Sequence, residues 1–295
     1  MIVVLVALEV ERQEVRKRLR NLKTELHPAG THFEVGTVGD APGRSARIAL
    51  ALADRGNPAA SLIAERAINH YKPAAVLFVG VAGGLRDWLA LGDVVVATKV
   101  YGYHAGRSEE TGFRSYPQAW PIPHEIDQAA RHLANEGRWN TDQQHRARVH
   151  FEPIAAGEVV VNGQDVPEAD LLHRHYADAV AVDMESAGVA HAGHVNRAVP
   201  TATIRGISDH ASGKDRTDAE GWQPVAAAHA AMFALTLAAR LDPGDRAADD
   251  PPVASTADGG DRRNVARTTG RNSPVVGQGG TIQGGVTFSY GAEES

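Results

Sequence analysis

Cysteine is absent from the 295 residues, which removes disulfides, thiolate nucleophiles and cysteine-ligated zinc from consideration. Aromatic residues are scarce at 5% of the chain, and methionine occurs three times. An excess of positive charge is also missing: 30 Lys and Arg stand against 36 Asp and Glu, for a formal net charge of −6. Such a balance gives no reason to expect nucleic acid or an anionic membrane surface as a partner. There is no Gly-x-x-x-x-Gly-Lys-Ser/Thr phosphate loop, and the run Gly80–Gly84 does not match a dinucleotide fingerprint. No stretch reads as the roughly 20 apolar residues that cross a bilayer. The apolar start Ile2–Leu8 lacks a preceding basic segment and is broken by Glu9 and Glu11. It reads as a buried first strand of a cytoplasmic protein and not as a signal peptide.

What is present is a sequence near the globular average, with 43% hydrophobic and 22% charged residues. Short β-branched runs at Ile2–Leu8, Val76–Val81, Val94–Val100, Ala179–Met184 and Thr201–Ile207 read as strands covered on both faces. Between them, helical spacing marks Glu11–Leu22, Ala59–Tyr71, Ile126–Gly137, Ser186–Asn196 and Pro224–Arg240. Thr31–Val38 and Arg47–Leu52 form a candidate antiparallel pair turned by Gly39–Gly43. The alternation predicts a single three-layer α/β domain around a mixed, mostly parallel sheet. Its expected extent is residues 1–241. Asp242-Pro243-Gly244-Asp245 stops the last helix, and residues 242–263 read as a flexible linker of Asp, Pro, Ala, Gly and Arg. Residues 264–295 form a Gly-rich tail.

Four segments carry polar or glycine-rich chemistry at predicted strand exits, where open parallel sheets bind ligands. They are Ala7-Leu8-Glu9-Val10-Glu11, Phe78-Val79-Gly80-Val81-Ala82-Gly83-Gly84-Leu85, Val182-Asp183-Met184-Glu185-Ser186 and Ile204-Arg205-Gly206-Ile207-Ser208-Asp209. Each has a plain structural reading as well. Glu11 and Glu185 can serve as first-turn carboxylates favoured by the helix dipole, and Asp209 can be an ordinary turn residue. His191 with His194, and His173 with His175, lack a third ligand nearby, so no metal is expected.

Taken in order, and with Leu91-Gly92-Asp93-Val94-Val95-Val96 and Gly157-Glu158-Val159-Val160-Val161-Asn162, these segments resemble the purine nucleoside phosphorylase/uridine phosphorylase superfamily. The similarity is greatest to its methylthioadenosine/S-adenosylhomocysteine nucleosidase branch and runs from Ile2 to about Arg240. The resemblance implies cleavage of the bond between a purine and its ribose, with no cofactor. It implies that Glu11 directs and deprotonates the attacking water, and that Asp209, oriented by Ser208, protonates purine N7. It further implies that Glu185, beside Asp183, accepts from the ribose hydroxyls over Met184. Val81, Ala82 and Gly83 would approach the sugar or base through backbone, and Val160 and Val161 would line the base pocket. The family usually has an aromatic residue where Val160 stands.

Phosphorolysis would require an arginine just before the glycine-rich exit and a hydroxyl within it. Phe78 and Val81 hold those places, which favours water over phosphate; a phosphorylase and an inactive nucleoside-binding sensor are the alternatives. Arg44, Arg47 and Arg55 near the early hairpin are further cations, with surface solvation as their default reading. The expected partner is a purine nucleoside or nucleotide, and Arg107 or Lys214 could meet a 5′-phosphate, in segments (Tyr101–Arg107 and Lys214-Asp215) placed near the mouth of the site. The family resemblance also implies a homo-oligomer. In the tail, Asn272–Phe288 alternates Val276, Gln278, Ile282 and Gln283 with glycines and resembles RHIM-like amyloid-signalling motifs. That resemblance implies recruitment by a receptor or adaptor carrying a similar motif, against the plain reading of a disordered terminus.

Overall fold

Ile2–Val6 forms β1, and every one of its five side chains is fully buried. A strand reads as a continuous apolar run when both faces of its sheet are covered, and here they are. Ile2, Val4 and Val6 pack into one cluster and Val3, Leu5 and Ala7 into another on the opposite face. The computed structural model describes residues 1–39, 45–110, 112–142, 144–163, 166–211 and 221–242. Residues 40–43 of the expected turn, Arg44, Lys214 and Asp215, and the linker and tail from residue 243 onward lie outside them.

The described elements run β1 (Ile2–Val6), α1 (Glu9–Arg16), β2 (Arg20–Leu26), β3 (His32–Val38), β4 (Ala46–Leu52), α2 (Asn57–Tyr71), β5 (Ala75–Gly84) and β6 (Val94–Gly102). They continue with β7 (Gly106–Glu109), β8 (Gly112–Ser115), β9 (Gln118–Pro121), α3 (His124–Glu136), β10 (Val149–Ala156) and α4 (Pro167–His175). β11 (Ala181–Asp183), α5 (Ser186–Val195), β12 (Thr201–His210) and α6 (Trp222–Leu241) follow. The sheet has the order β11-β10-β6-β12-β5-β1-β4-β3-β2, with β9 attached to β6. It is mixed: β1 runs parallel to β4 and β5, β12 parallel to β5, and β10 parallel to β6 and β11. Antiparallel pairs add β2 and β3 at one edge and join β12 to β6. β11 also pairs with β5 through Ala181–Gly84 and Val182–Gly83, so β5, β12, β6, β10 and β11 close into a ring.

Three layers result. α1, α3 and α6 cover one face through Val15, Ile126, Leu133 and Phe233. α2 and α5 cover the other through Ala60, Ala64, Ala67, Val189 and Ala192. Small alanines at a helix face allow close approach to the sheet, which suits a chain poor in large aromatics.

Two elements differ from the sequence reading. The first helix ends at Arg16, not Leu22: Asn21 takes a left-handed φ of 54° and Arg20–Leu26 pairs with β3 as an edge strand. Backbone pairing to an available sheet edge outweighs a weak helical preference there. The other is α6, a 20-residue helix of mean hydropathy 1.4 that is long and apolar enough to cross a membrane by length and composition. Its Ala226, Ala230, Phe233, Ala234, Leu237 and Ala238 are instead fully buried against the sheet and its neighbouring helices. β10 and α4 carry no clear period in the sequence, and β10 is defined by its pairing with β6 and β11.

Gly206 in β12 lies so close to α6 that a Cβ there would collide with the backbone carbonyl of Ala226. Gly206→Ala therefore forces the helix off the sheet and is expected to cost about 1–3 kcal/mol. Thermal melting of the full chain should show a loss of about 2–4 °C per kcal/mol.

Candidate active site

The site starts from a strand that ends and a helix that begins without a side-chain cap. β1 stops at Val6 and α1 starts at Glu9, leaving the amides of the first turn to be satisfied. Glu11 meets this need by turning back: its Oε2 accepts from the N–H of Ala7 at 2.8 Å and of Leu8 at 2.9 Å. Its Oε1 then reaches across to β5 and accepts from the N–H of Val81 at 2.8 Å. The carboxylate is thus a helix-capping group and a tie between two strand exits at once. It is only 2% exposed. Burial pushes its carboxyl above the usual range, while the Arg205 charge and the three backbone bonds pull the other way.

The second group gathers around Arg205, which is fully buried in β12. Its Nε donates to Asp183 Oδ2 at 2.7 Å, and its Nη2 lies 3.4 Å from Ser186 Oγ and 3.7 Å from Glu185 Oε2. The guanidinium sits 4.0 Å from the ring centroid of Phe78. Asp183 accepts in addition from the N–H groups of Glu185 and Ser186 and from the Ser186 hydroxyl, so it also caps α5. Glu185 accepts from the N–H of Gly56 at 3.1 Å. One buried cation therefore faces Asp183, Glu185 and Glu11. Burial, and then the neighbouring Asp183 charge, push Glu185 up to about 7. The remaining nitrogen of Arg205, Nη1, is buried with no hydrogen-bond partner. A Cβ on Gly80 would strike both this nitrogen and the Glu11 carboxylate. A buried donor left unpaired is costly, and this one faces a buried acceptor across a glycine.

The third group depends on an irregularity. Along β12, Ile207 pairs with Ala82 and Asp209 with Gly83, so Ser208 is an extra residue in the register. Side chains of neighbouring residues in a regular strand point to opposite faces; a bulge re-aims them. Here Ser208 and Asp209 both line the same cavity, and the Ser208 hydroxyl donates to Asp209 Oδ2 at 2.7 Å. Both are nearly inaccessible.

The cavity holds about 370 Å³ and brings together every candidate residue: Glu11, Val81, Ala82, Gly83, Val160, Val161, Asp183, Met184, Glu185, Ser208 and Asp209. A larger depression of about 990 Å³ near Trp88 is lined by none of them. Ala7, Leu8, Arg55, Val159, Val182 and Gln223 complete the lining. Arg55 was visible in the sequence only as one of several loop cations, and Gln223 carried no signal. Arg205 carries no legible role within its sequence motif, since nothing in sequence shows that an arginine is buried. Val160 is 47% exposed and stands at the rim.

One expectation about the surroundings changes. Tyr101–Arg107 does not line the cavity. Gly102, His104 and Ala105 border a separate groove with His191 instead, and Arg107 pairs with Glu109 on the β7–β8 hairpin. His104 stays next to the rim all the same, its Nδ1 accepting from the N–H of Glu158 at 2.9 Å, beside the lining residues Val159 and Val160. Phe78 is fully buried beneath Arg205 and does not line the cavity, so it supplies no cation there.

Comparison with known proteins agrees with this architecture. A 5′-methylthioadenosine/S-adenosylhomocysteine nucleosidase from Neisseria meningitidis, in complex with methylthio-immucillin-A, superposes with a TM-score of 0.67 at 22% identity over 81% of this chain and 98% of that one. The corresponding nucleosidase from Colwellia psychrerythraea 34H, in complex with adenine, gives 0.69 at 20% identity over 81% and 95%. Futalosine hydrolase of Helicobacter pylori gives 0.65 at 22% identity over 80% and 96%. At such identities the likeness establishes the fold. The family itself is fixed by a model described as the phosphorylase superfamily, which matches residues 1–239. With a mixed sheet closed on one side and carboxylates at its strand exits, this chain belongs to the phosphorylase superfamily.

Proposed function

We propose that the chain hydrolyses the N-glycosidic bond of a purine nucleoside or nucleotide, with adenine as the expected base, and releases the free base. The observation that carries this reading is the convergence of the backbone-anchored Glu11 and the Ser208-held Asp209 on one cavity that Glu185 also lines. Two carboxyl groups held in fixed orientation in one cavity place a proton acceptor and a proton donor at the two ends of a hydrolytic step.

In this reading the bond from ribose C1′ to purine N9 breaks, and its electron pair passes to the base. Asp209 delivers a proton to N7, with Ser208 holding the carboxyl in orientation. Water adds its oxygen to C1′ while Glu11 takes the displaced proton, so charge and atoms balance. Glu185 accepts from the ribose hydroxyls above Met184, and Val161, Gly83 and Val182 border the base. Water rather than phosphate is supported by Phe78, which is sealed under Arg205, and by Val81, which offers Glu11 only its backbone. An effector role is a second part of the proposal and rests on the sequence of residues 264–295 alone. In it, the tail brings the enzyme into an assembly seeded by a receptor or adaptor with a similar motif.

The direct measurement is chromatography of free base from adenosine, inosine, methylthioadenosine, AMP and ATP, with and without phosphate. Release independent of phosphate is expected, with Asp209→Asn and Glu11→Gln each lowering kcat by about 10² or more. Strict phosphate dependence would make the protein a phosphorylase, and no release from any compound would leave a nucleoside-binding sensor. Because Glu185 accepts from two ribose hydroxyls most strongly when ionised and is pushed up to about 7, kcat/KM should fall as the pH drops through that value. A profile flat down to pH 5 would exclude Glu185 as the ionised acceptor of the ribose hydroxyls. Removing residues 264–295 should spare base release and abolish seeded aggregation; retained seeding would overturn the recruitment reading.

A further inference from the structure

We infer that the end of the cavity opposite Asp209 binds an anion on the 5′ carbon of the substrate, with Arg55 as its specificity-determining residue. The preferred substrate is then a purine nucleotide and not an uncharged nucleoside. The inference rests on the hydrolase reading for the direction in which the substrate lies.

The charges of the lining are unequal. Glu11, Asp183, Glu185 and Asp209 face the cavity, and among the described residues lining it Arg55 is the one cation. A cation among carboxylates ordinarily pairs with one of them. Arg55 forms no ion pair or hydrogen bond among the described residues. Glu185, the carboxylate next to its loop, is engaged by Gly56 and lies near Arg205 instead. Arg55 is exposed, so its donors are open to the cavity mouth.

Its place is fixed by the loop that carries it. Gly56 donates to Glu185, Asn57 Oδ1 accepts from the N–H of Gly188 at 2.8 Å, and Asn57 Nδ2 donates to Glu158 at 2.8 Å and to the Gly157 carbonyl at 3.0 Å. These bonds tie the start of α2 to α5 and to the segment after β10, which holds Arg55 at the rim without using its charge.

The sheet order supplies the direction. Asp209 ends β12, Val81–Gly83 end β5, Ala7 and Leu8 follow β1, and Arg55 follows β4, and these four strands are consecutive. Three strand spacings separate the axes of the first and last by about 14 Å. With the base at Asp209 and the ribose hydroxyls at Glu185, the sugar lies over the exits of β5 and β1. Base and 5′ carbon leave the ribose ring on opposite sides of its oxygen, so the 5′ group extends toward Leu8 and Arg55. Gln223, in the first turn of α6, lines the same cavity. The N-cap of that helix is Gly221, which has no side chain to close the leading amides. An alkyl substituent there would desolvate the guanidinium without compensation, whereas a phosphate accepts both arms of its fork.

Steady-state kinetics on the full chain tests this with AMP, adenosine and methylthioadenosine, for the native sequence and for Arg55→Met and Arg55→Lys. Native kcat/KM for AMP should exceed that for adenosine by about tenfold to a hundredfold. The ratio should collapse toward one in Arg55→Met and recover in part in Arg55→Lys. Equal loss on AMP and adenosine in Arg55→Met, or native preference for adenosine or methylthioadenosine, overturns the inference. So does base release that requires inorganic phosphate and disappears in Arg55→Met, since the cation would then serve the nucleophile. Calorimetric titration of AMP and adenosine separates this from the hydrolase reading. If no compound is cleaved but AMP binds more tightly than adenosine in an Arg55-dependent way, hydrolysis fails and the anion site stands. Absence of that preference in binding sinks the anion site as well.

Discussion

The site depends on one buried guanidinium. Arg205 on β12 is inaccessible to solvent and faces carboxylates from two other parts of the chain: Glu11 after β1, and Asp183 with Glu185 at the junction of β11 and α5. Burial opposes its charge, and those carboxylates overcome the opposition. A buried ion network of this sort contributes less to net stability than its contacts imply, because every member has lost its hydration. Removing one member leaves the others unpaired in a low dielectric, which is far more damaging than replacing the set. Asp183 takes the strongest hold on the guanidinium and also caps α5. That leaves Glu185 and Glu11 with only part of the cation's charge, and burial raises both carboxyls.

Around this centre, backbone geometry does much of the positioning. Glu11 is fixed by three main-chain N–H groups drawn from two strand exits, so its orientation does not rely on any other side chain. Ser208 and Asp209 share a face because β12 carries one more residue than β5 at that level. Gly80 gives the room in which Arg205 and Glu11 face each other. Each device acts where a parallel strand ends, since there the sheet no longer consumes the main-chain donors.

Much of this was legible in the sequence. The apolar runs of β1, β5, β6 and β12 stand out because both faces of those strands are covered, and the helices between them keep their period. The carboxylates of the site were legible for a related reason: charged residues at the end of an apolar run mark a strand exit. Other parts were not. The segment Arg20–Leu26 alternates too weakly to be told from a helix end, and its state is set by β3 alongside it. β10 and α4 lack a period of their own. Arg55 and Gln223 sit in unremarkable surroundings along the chain, and only the fold brings them to the cavity that holds Asp209.

The sequence by itself determined the layered α/β plan and the set of acidic residues at strand ends, because burial pattern and strand termination are local properties of the chain. The tertiary structure decided what those residues are joined to. Whether Glu11 is only a helix cap or also a tie to β5, whether Arg205 is a surface cation or the counter-charge of three carboxylates, and which loop cation reaches the cavity all depend on strand order. That order is set by long-range pairing, in which β11 meets β5 about a hundred residues away in the chain, and no local pattern encodes it.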